Sequence, residues 1–324
     1  MFRRFLMTAV FAAMVVGAVP VGAQQPQQLL SVSSGGEKGT YYQMMKELAD
    51  ACPGQIENRS SNGSLDNLDR ILGNKSVLGV TQFDALFLRG VKEEDIKNRI
   101  RVLAVLHPEE VHFIAKSAGR SDGGSVVAGI HTGFNEHLIP LNTILDLRGL
   151  KVGYWGGSSV TESIIAQRTG INWQPVEFTD QKAALAALKA DQIDAILAVG
   201  GQPLAWVAEL SREFKLLEVP EYVGKTLDMV YDQKTLSYRN LNQDGVRALA
   251  VDAMLVTRNY QTPQKREPLK RLRDCLVENV PVIQETTDTH PKWMSVTPLK
   301  NVSSKWAMFF EPAPAIQAKP QPQE

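Results

Sequence analysis

From residue 29 onward, short apolar runs alternate with segments of helical period, and the joins between them are built of glycine, serine, threonine and asparagine. A chain written this way buries its strands in a largely parallel sheet with helices on the faces, so the rhythm predicts an α/β fold. Residues 29–33 read as a strand, Gly35-Gly36-Glu37-Lys38-Gly39 as a turn opening a helix over 40–51, and Cys52-Pro53-Gly54 as its stop. A second strand is expected over 55–60, a helix over 64–72 with Ser64 as its cap, a third strand over 77–81, and a further helix from Phe83 with Asp84 as its cap. Residues 101–106 and 111–115 read as two strands separated by a turn-like break, His107-Pro108-Glu109-Glu110.

The segment 116–140 has no clear period and is rich in glycine, serine and aspartate, which predicts a crossing region with an irregular excursion. A second α/β unit follows: a strand over 151–155, Gly156-Gly157-Ser158-Ser159 opening a helix to Thr169, a strand at 176–178, a helix over 181–190 and a strand over 193–199. Gly200-Gly201-Gln202-Pro203 is expected to start another helix, with Pro203 in the first turn where no N–H is needed. After Pro220 the chain is expected to cross back, with 246–256 as a long apolar run and 263–285 as a helix strapping the first unit.

The 324 residues are 44% hydrophobic, ample for a core and too many for one compact lobe. Two lobes are therefore expected, with boundaries at 27–117 plus 221–310 for lobe 1 and 118–220 for lobe 2, and a polar, proline-rich disordered tail over 311–324. Met1-Phe2-Arg3-Arg4, the apolar stretch 5–21 and Val21-Gly22-Ala23 form the pattern of a cleavable secretory signal over 1–23, which predicts residence in the periplasm. Without those residues 33 basic groups stand against 35 acidic ones, a balance that points to no nucleic-acid partner. The two cysteines, Cys52 and Cys275, are either a disulfide returning the carboxyl-terminal helix to lobe 1 or two separate buried thiols.

The recurring feature is a strand that runs into a small, hydroxyl-rich loop opening a helix, at Gly36 to Tyr42, at Ser60-Ser61-Asn62-Gly63-Ser64 and at Gly156 to Thr161. Helix starts leave N–H groups unpaired and carry partial positive charge, so several converging on one cleft make a place for a carboxylate. Gly39, Thr40, Ser61, Asn62, Ser158, Ser159 and Thr161 are the expected anion-holding residues, with Tyr41, Gln82 and Gln202 orienting the ligand. Each loop taken alone is also ordinary helix capping. Arg59 is a further candidate for a carboxylate fork, and Trp155 and Trp206 for an apolar wall.

Enzyme signatures fail where they can be checked. Gly156-Gly157-Ser158-Ser159-Val160 lacks the last glycine of a nucleophile elbow, and Gly224-Lys225-Thr226 has Val219 where a phosphate loop needs glycine. His107, His112, His131, His137 and His290 form no metal-binding pair at helical spacing, and nothing local calls for a metal or other cofactor.

Gly39-Thr40-Tyr41-Tyr42, Ser61-Asn62-Gly63-Ser64 followed by Asn67-Leu68, Thr81-Gln82-Phe83-Asp84, Gly156 to Thr161 and Gly201-Gln202-Pro203 resemble, in order and spacing, the motifs of the TAXI family. These are solute receptors of tripartite ATP-independent periplasmic (TRAP) transporters. The resemblance runs from about Leu29 to Pro298 and implies a type II periplasmic-binding-protein-like fold with a ligand cleft between the lobes. It further implies capture of a small organic anion, an amino acid such as glutamate or a dicarboxylate, no catalysis, and delivery to a TRAP-type membrane permease. Glu37-Lys38, Phe83 and the run Gly157-Ser158-Ser159-Val160-Thr161, where the family usually has Gly-Ser-Gly-Thr, depart from the family pattern. A periplasmic sensor or scaffold of the same fold, signalling to a partner protein, is the alternative.

Overall fold

The computed structural model describes residues 29–123, 126–127, 130–131, 137–298 and 300–310. The expected secretory signal and polar tail lie outside the described residues. The first half comprises β1 (Leu30–Ser33), α1 (Thr40–Ala51), β2 (Ile56–Arg59), α2 (Ser64–Leu72), β3 (Leu78–Gln82), α3 (Phe83–Lys92) and the short α4 (Ile96–Arg99), followed by the long β4 (Ile100–Lys116). Two small ribbons come next, β5 (Arg120–Ser121) with β8 (Leu138–Ile139), and β6 (Val126–Val127) with β7 (Ile130–His131). The second half holds β9 (Lys151–Trp155), α5 (Ser158–Thr169), β10 (Gln174–Phe178), α6 (Gln181–Lys189), β11 (Ala195–Gly200), α7 (Ala205–Ala208), β12 (Phe214–Leu216), α8 (Glu221–Thr226) and β13 (Asp232–Tyr238). The chain then returns along β14 (Gln243–Arg258) into α9 (Pro263–Glu285).

One ten-stranded sheet carries both halves, in the order β10-β9-β11-β4-β14-β3-β1-β2, with β12 paired to β4 and β13 to β14. Its outer thirds are parallel, as the βαβ rhythm requires, and its middle is the antiparallel pair β4–β14. The carboxyl-terminal part of β14 pairs with β3, while the carboxyl-terminal part of β4 pairs with β11 and β12. These two strands thus pass from one lobe to the other.

The expected break at His107-Pro108-Glu109-Glu110 is therefore absent: both flanking runs belong to one strand. Asp252 lies opposite Pro108 and Met254 opposite Val105, which places one extra residue on β4. At such a bulge the ladder is interrupted, so a residue without an N–H is tolerated inside a central strand. Past β4, the stretch expected as the crossing region holds the two small ribbons among its described residues.

Among the described residues the core forms three apolar clusters. One, with Met44, Leu48, Leu78, Leu103, Leu272 and Trp293, lies in lobe 1 between the sheet, α1 and α9. Another, with Ile114, Leu188, Ile196, Phe214 and Leu236, packs around β11, β12 and the carboxyl-terminal part of β4. The third, with Phe83, Leu86, Phe113, Ile164, Trp173 and Leu197, runs under both halves, where α3 meets α5. Cys52 and Cys275 form a disulfide that ties α9 to the end of α1. Among the described residues no helix is long and apolar enough to cross a membrane. The result is a two-lobed α/β fold with a cleft between its lobes.

Candidate functional site

The cleft begins with helix starts. α1, α2 and α5 each follow the carboxyl end of a strand, β1, β2 and β9, and none has a side chain capping its amino terminus. Their first turns therefore keep N–H groups without intrahelical partners. Gly39 and Thr40 of α1, Gly63 and Ser64 of α2, and Gly157 before α5 all line one cavity of about 840 Å³ between the lobes. Gly63, rather than Ser64, is the residue preceding α2, with φ at +94° where only glycine is unstrained. Ser64 Oγ instead accepts the Gln82 N–H at 3.1 Å, pinning the start of α2 to the end of β3.

The floor is formed by β4. His107 and Glu109, two residues apart, both line the cavity. Glu109 Oε2 accepts the Tyr41 hydroxyl at 2.7 Å and Gln82 Nε2 at 2.8 Å, which fixes both side chains. Burial raises the Glu109 pKa above the ordinary carboxylate value, opposed by those two hydrogen bonds and by nearby Lys292. His107 Nδ1 lies 3.2 Å from the Pro108 carbonyl, which can only accept, so this nitrogen carries the proton. Burial pushes the His107 pKa down to about 4, leaving a neutral ring at pH 7.

The mouth is crossed by Lys292. It stands on a 3-10 turn, Pro291–Ser295, that is anchored on α1: Glu47 accepts the His290 N–H at 2.9 Å and the Trp293 indole N–H at 2.6 Å. Lys292 Nζ reaches lobe 2, donating to the Gln202 carbonyl at 3.2 Å and lying 3.8 Å from Glu110 Oε2. Gly201 makes the room, because a Cβ there would lie 1.5 Å from Lys292 Cε. Burial lowers the Lys292 pKa from its ordinary value, with Glu110 and Glu109 acting the other way.

Of the residues singled out in the sequence, Gly39, Thr40, Tyr41, Gln82 and Gln202 line this cavity. Gln202 does so with its amide oxygen accepting the Ser237 N–H at 3.3 Å. Ser158 sits just behind Gly157, its Oγ accepting the Val199 N–H at 3.2 Å. Ser61, Asn62, Ser159 and Thr161 are not among the lining residues. Ser61 Oγ accepts the Gly35 N–H at 2.6 Å, and the Asn62 N–H donates to Asp66 at 2.8 Å, so both hold the loop before α2 in shape. The Ser159 N–H closes a turn onto the Gly156 carbonyl at 3.2 Å.

Thr161 is buried under the cleft, where it donates to Asp84 Oδ2 at 2.6 Å. Asp84 is not the cap of α3, a position held by Gln82; it lies inside the first turn and accepts from Thr161 of α5 and from the Tyr231 hydroxyl, the latter at 3.0 Å. Arg59 is exposed and paired with Glu57 at 2.7 Å. Trp155 and Trp206 stack edge to face on each other in lobe 2. Pro203 precedes the short α7 by two residues instead of standing in its first turn.

His107, Glu109 and Lys292 are among the lining residues not anticipated as ligand contacts. The signal for the first two was the alternation of 107 and 109 on an apolar strand, masked by the proline between them.

No protein-family model matches the chain. Among solved structures it is similar to the substrate-binding protein of an amino acid ABC transporter, at 10% identity over 79% of this chain and 94% of that one, with a TM-score of 0.47. It is also similar to the GluR0 ligand-binding core in complex with L-glutamate, at 11% identity over 78% and 94%, TM-score 0.46. A third likeness is to the arginine-bound form of truncated ArgBP from T. maritima, at 14% identity over 77% and 95%, TM-score 0.44. These likenesses are too loose to assign a ligand or a partner to this chain.

Proposed function

We propose that this protein is a periplasmic solute receptor of the TAXI type, capturing a small organic anion between its lobes and delivering it to a TRAP-type permease, without transforming it. The observation that supports it is the convergence of three uncapped helix starts and the Lys292 ammonium on one interlobe cavity. Unpaired N–H groups at helix starts and a half-buried cation stabilise a carboxylate that excludes water from them. A ligand touching Gly39 and Thr40 of lobe 1 and Gly157 and Gln202 of lobe 2 binds the closed arrangement more tightly than an open one, and that difference drives closure.

Thermal-shift screening of the purified protein against amino acids, dicarboxylates, keto acids and sugars tests this. A ligand at about 100 times its dissociation constant stabilises by about 2.7 kcal/mol, enough for a clear and saturable shift. The expected result is a shift with one class of small carboxylate, weakened in Lys292→Met. Folded, ligand-free protein that responds to no member of the panel rules the receptor function out.

A further inference from the structure

The cavity is not lined by donors alone. Opposite the helix starts, β4 presents two acceptors that the protein leaves without a donor. Both protein hydrogen bonds to Glu109 fall on Oε2, and Oε1 receives none from the described residues. His107 Nε2 is buried without a partner. With its proton on Nδ1, facing the Pro108 carbonyl, Nε2 is an acceptor as well. A buried acceptor left unpaired, as His107 Nε2 is, is costly; with Glu109 Oε1 two positions along the same strand and both residues lining the cavity, it defines a place for a group rich in N–H donors.

Lys292 does not fill that place. Its Nζ bonds to the Gln202 carbonyl and faces Glu110, not Glu109 or His107. A second carboxylate of the ligand would meet the unpaired His107 Nε2 acceptor there, which offers it no donor. The donor side and the acceptor side of one cavity thus match the two ends of a zwitterion.

Resting on the solute-receptor function proposed above, we infer that the ligand is an amino acid rather than a dicarboxylate, and that Glu109 and His107 receive its ammonium group while the helix starts of α1, α2 and α5 hold its carboxylate. The neutral state of His107, kept by burial, suits it to accept from a cation without repelling it.

Calorimetric titration of the purified protein with matched sets tests this: L-aspartate, L-malate and succinate; L-glutamate, L-2-hydroxyglutarate and glutarate; L-alanine, L-lactate and propionate; L-leucine, L-leucate and 4-methylpentanoate. In at least one set the amino acid is expected to bind about 10- to 100-fold more tightly than its hydroxy and deaminated counterparts, the range for losing a charge-assisted hydrogen bond. Glu109→Gln should erase most of that ratio, and His107→Leu part of it. The comparison on the unaltered protein stands whether or not the variants fold. A hydroxy or deaminated acid binding as tightly as its amino acid overturns the ammonium assignment and leaves the receptor function intact. Binding of no member of any set overturns both.

Discussion

Replacing Asp84 by asparagine should change how stability depends on pH. The carboxyl is buried between α3 and α5, accepting from Thr161 at 2.6 Å, Tyr231 at 3.0 Å and the Ala85 N–H at 2.7 Å. Burial outweighs those three hydrogen bonds and raises its pKa from 3.8 to about 6. An acid raised in this way keeps its proton in the folded state at pH values where the unfolded chain has released it. Its contribution to stability is therefore full below 3.8 and is lost as pH rises through about 6. At 1.36 kcal/mol per tenfold change in proton affinity, the loss between pH 4 and pH 7 is about 2 to 3 kcal/mol. Asparagine keeps the shape and removes the titration. Urea unfolding of both proteins from pH 4 to pH 7 isolates the effect, because all other titrating groups cancel in the difference. The variant should gain about 2 to 3 kcal/mol on the parent over that range, whatever the offset at pH 4. A gap that stays constant within about 0.5 kcal/mol, or that moves in favour of aspartate as pH rises, refutes the dominance of burial at this site.

Reducing the Cys52–Cys275 bridge, which closes a sequence separation of 223 residues, should lower unfolding free energy by roughly 2 to 5 kcal/mol, read from urea midpoints with and without reductant. Gly201→Ala meets only the flexible end of Lys292, so its melting temperature should stay within about 3 °C of the parent while ligand affinity, by calorimetry, falls as in Lys292→Met. Gly153→Ala puts a Cβ 2.5 Å from Ile193 Cδ1 and 2.9 Å from Phe178 Cε2 inside packed lobe 2, and should cost about 1 to 3 kcal/mol in the same urea assay. Thr161→Val removes one donor from the buried Asp84 carboxylate and should destabilise by about 1 to 3 kcal/mol at pH 7, with less loss at pH 4, where the carboxyl is protonated.

The parts of the molecule written in local sequence were legible without coordinates. A strand that ends in Gly-Gly-Glu-Lys-Gly before a helix puts Gly39, Thr40 and Tyr41 at the end of the sheet whatever the rest of the chain does, and the same holds for Gln82 at the end of β3. Within such a loop, local pattern does not say which way a hydroxyl turns. Ser61 and Thr161 carry the same chemistry as Thr40, yet one closes a loop and the other bonds to Asp84 across the seam between α3 and α5. Their partners come from elements 26 and 77 residues away.

The floor of the cleft was hidden by a different cause. Pro108 is read as a break because a central strand needs its N–H groups, and that inference holds wherever the ladder is regular. Here it fails because β14 supplies two residues against three of β4 just at Asp252, and the bulge removes the need for the missing donor. The same bulge marks the passage of β4 and β14 between the lobes, so the residues on either side of the proline, His107 and Glu109, stand where both lobes face the cavity. Lys292 reaches the mouth only through Trp293 and Glu47, a contact spanning 246 positions that no periodicity encodes. A proline flanked by two acceptor side chains, within an apolar run too long to be two edge strands, is thus better read as a bulged crossing strand than as a turn. The flanking acceptors then become candidates for the ligand's donors. That rule is testable on this chain through Pro108: replacing it by alanine restores an N–H that the bulge gives no partner, so Pro108→Ala should leave the fold intact without stabilising it. A gain of more than about 1 kcal/mol would mean that the ladder had wanted that donor and that the bulge was imposed by the proline rather than by the cleft.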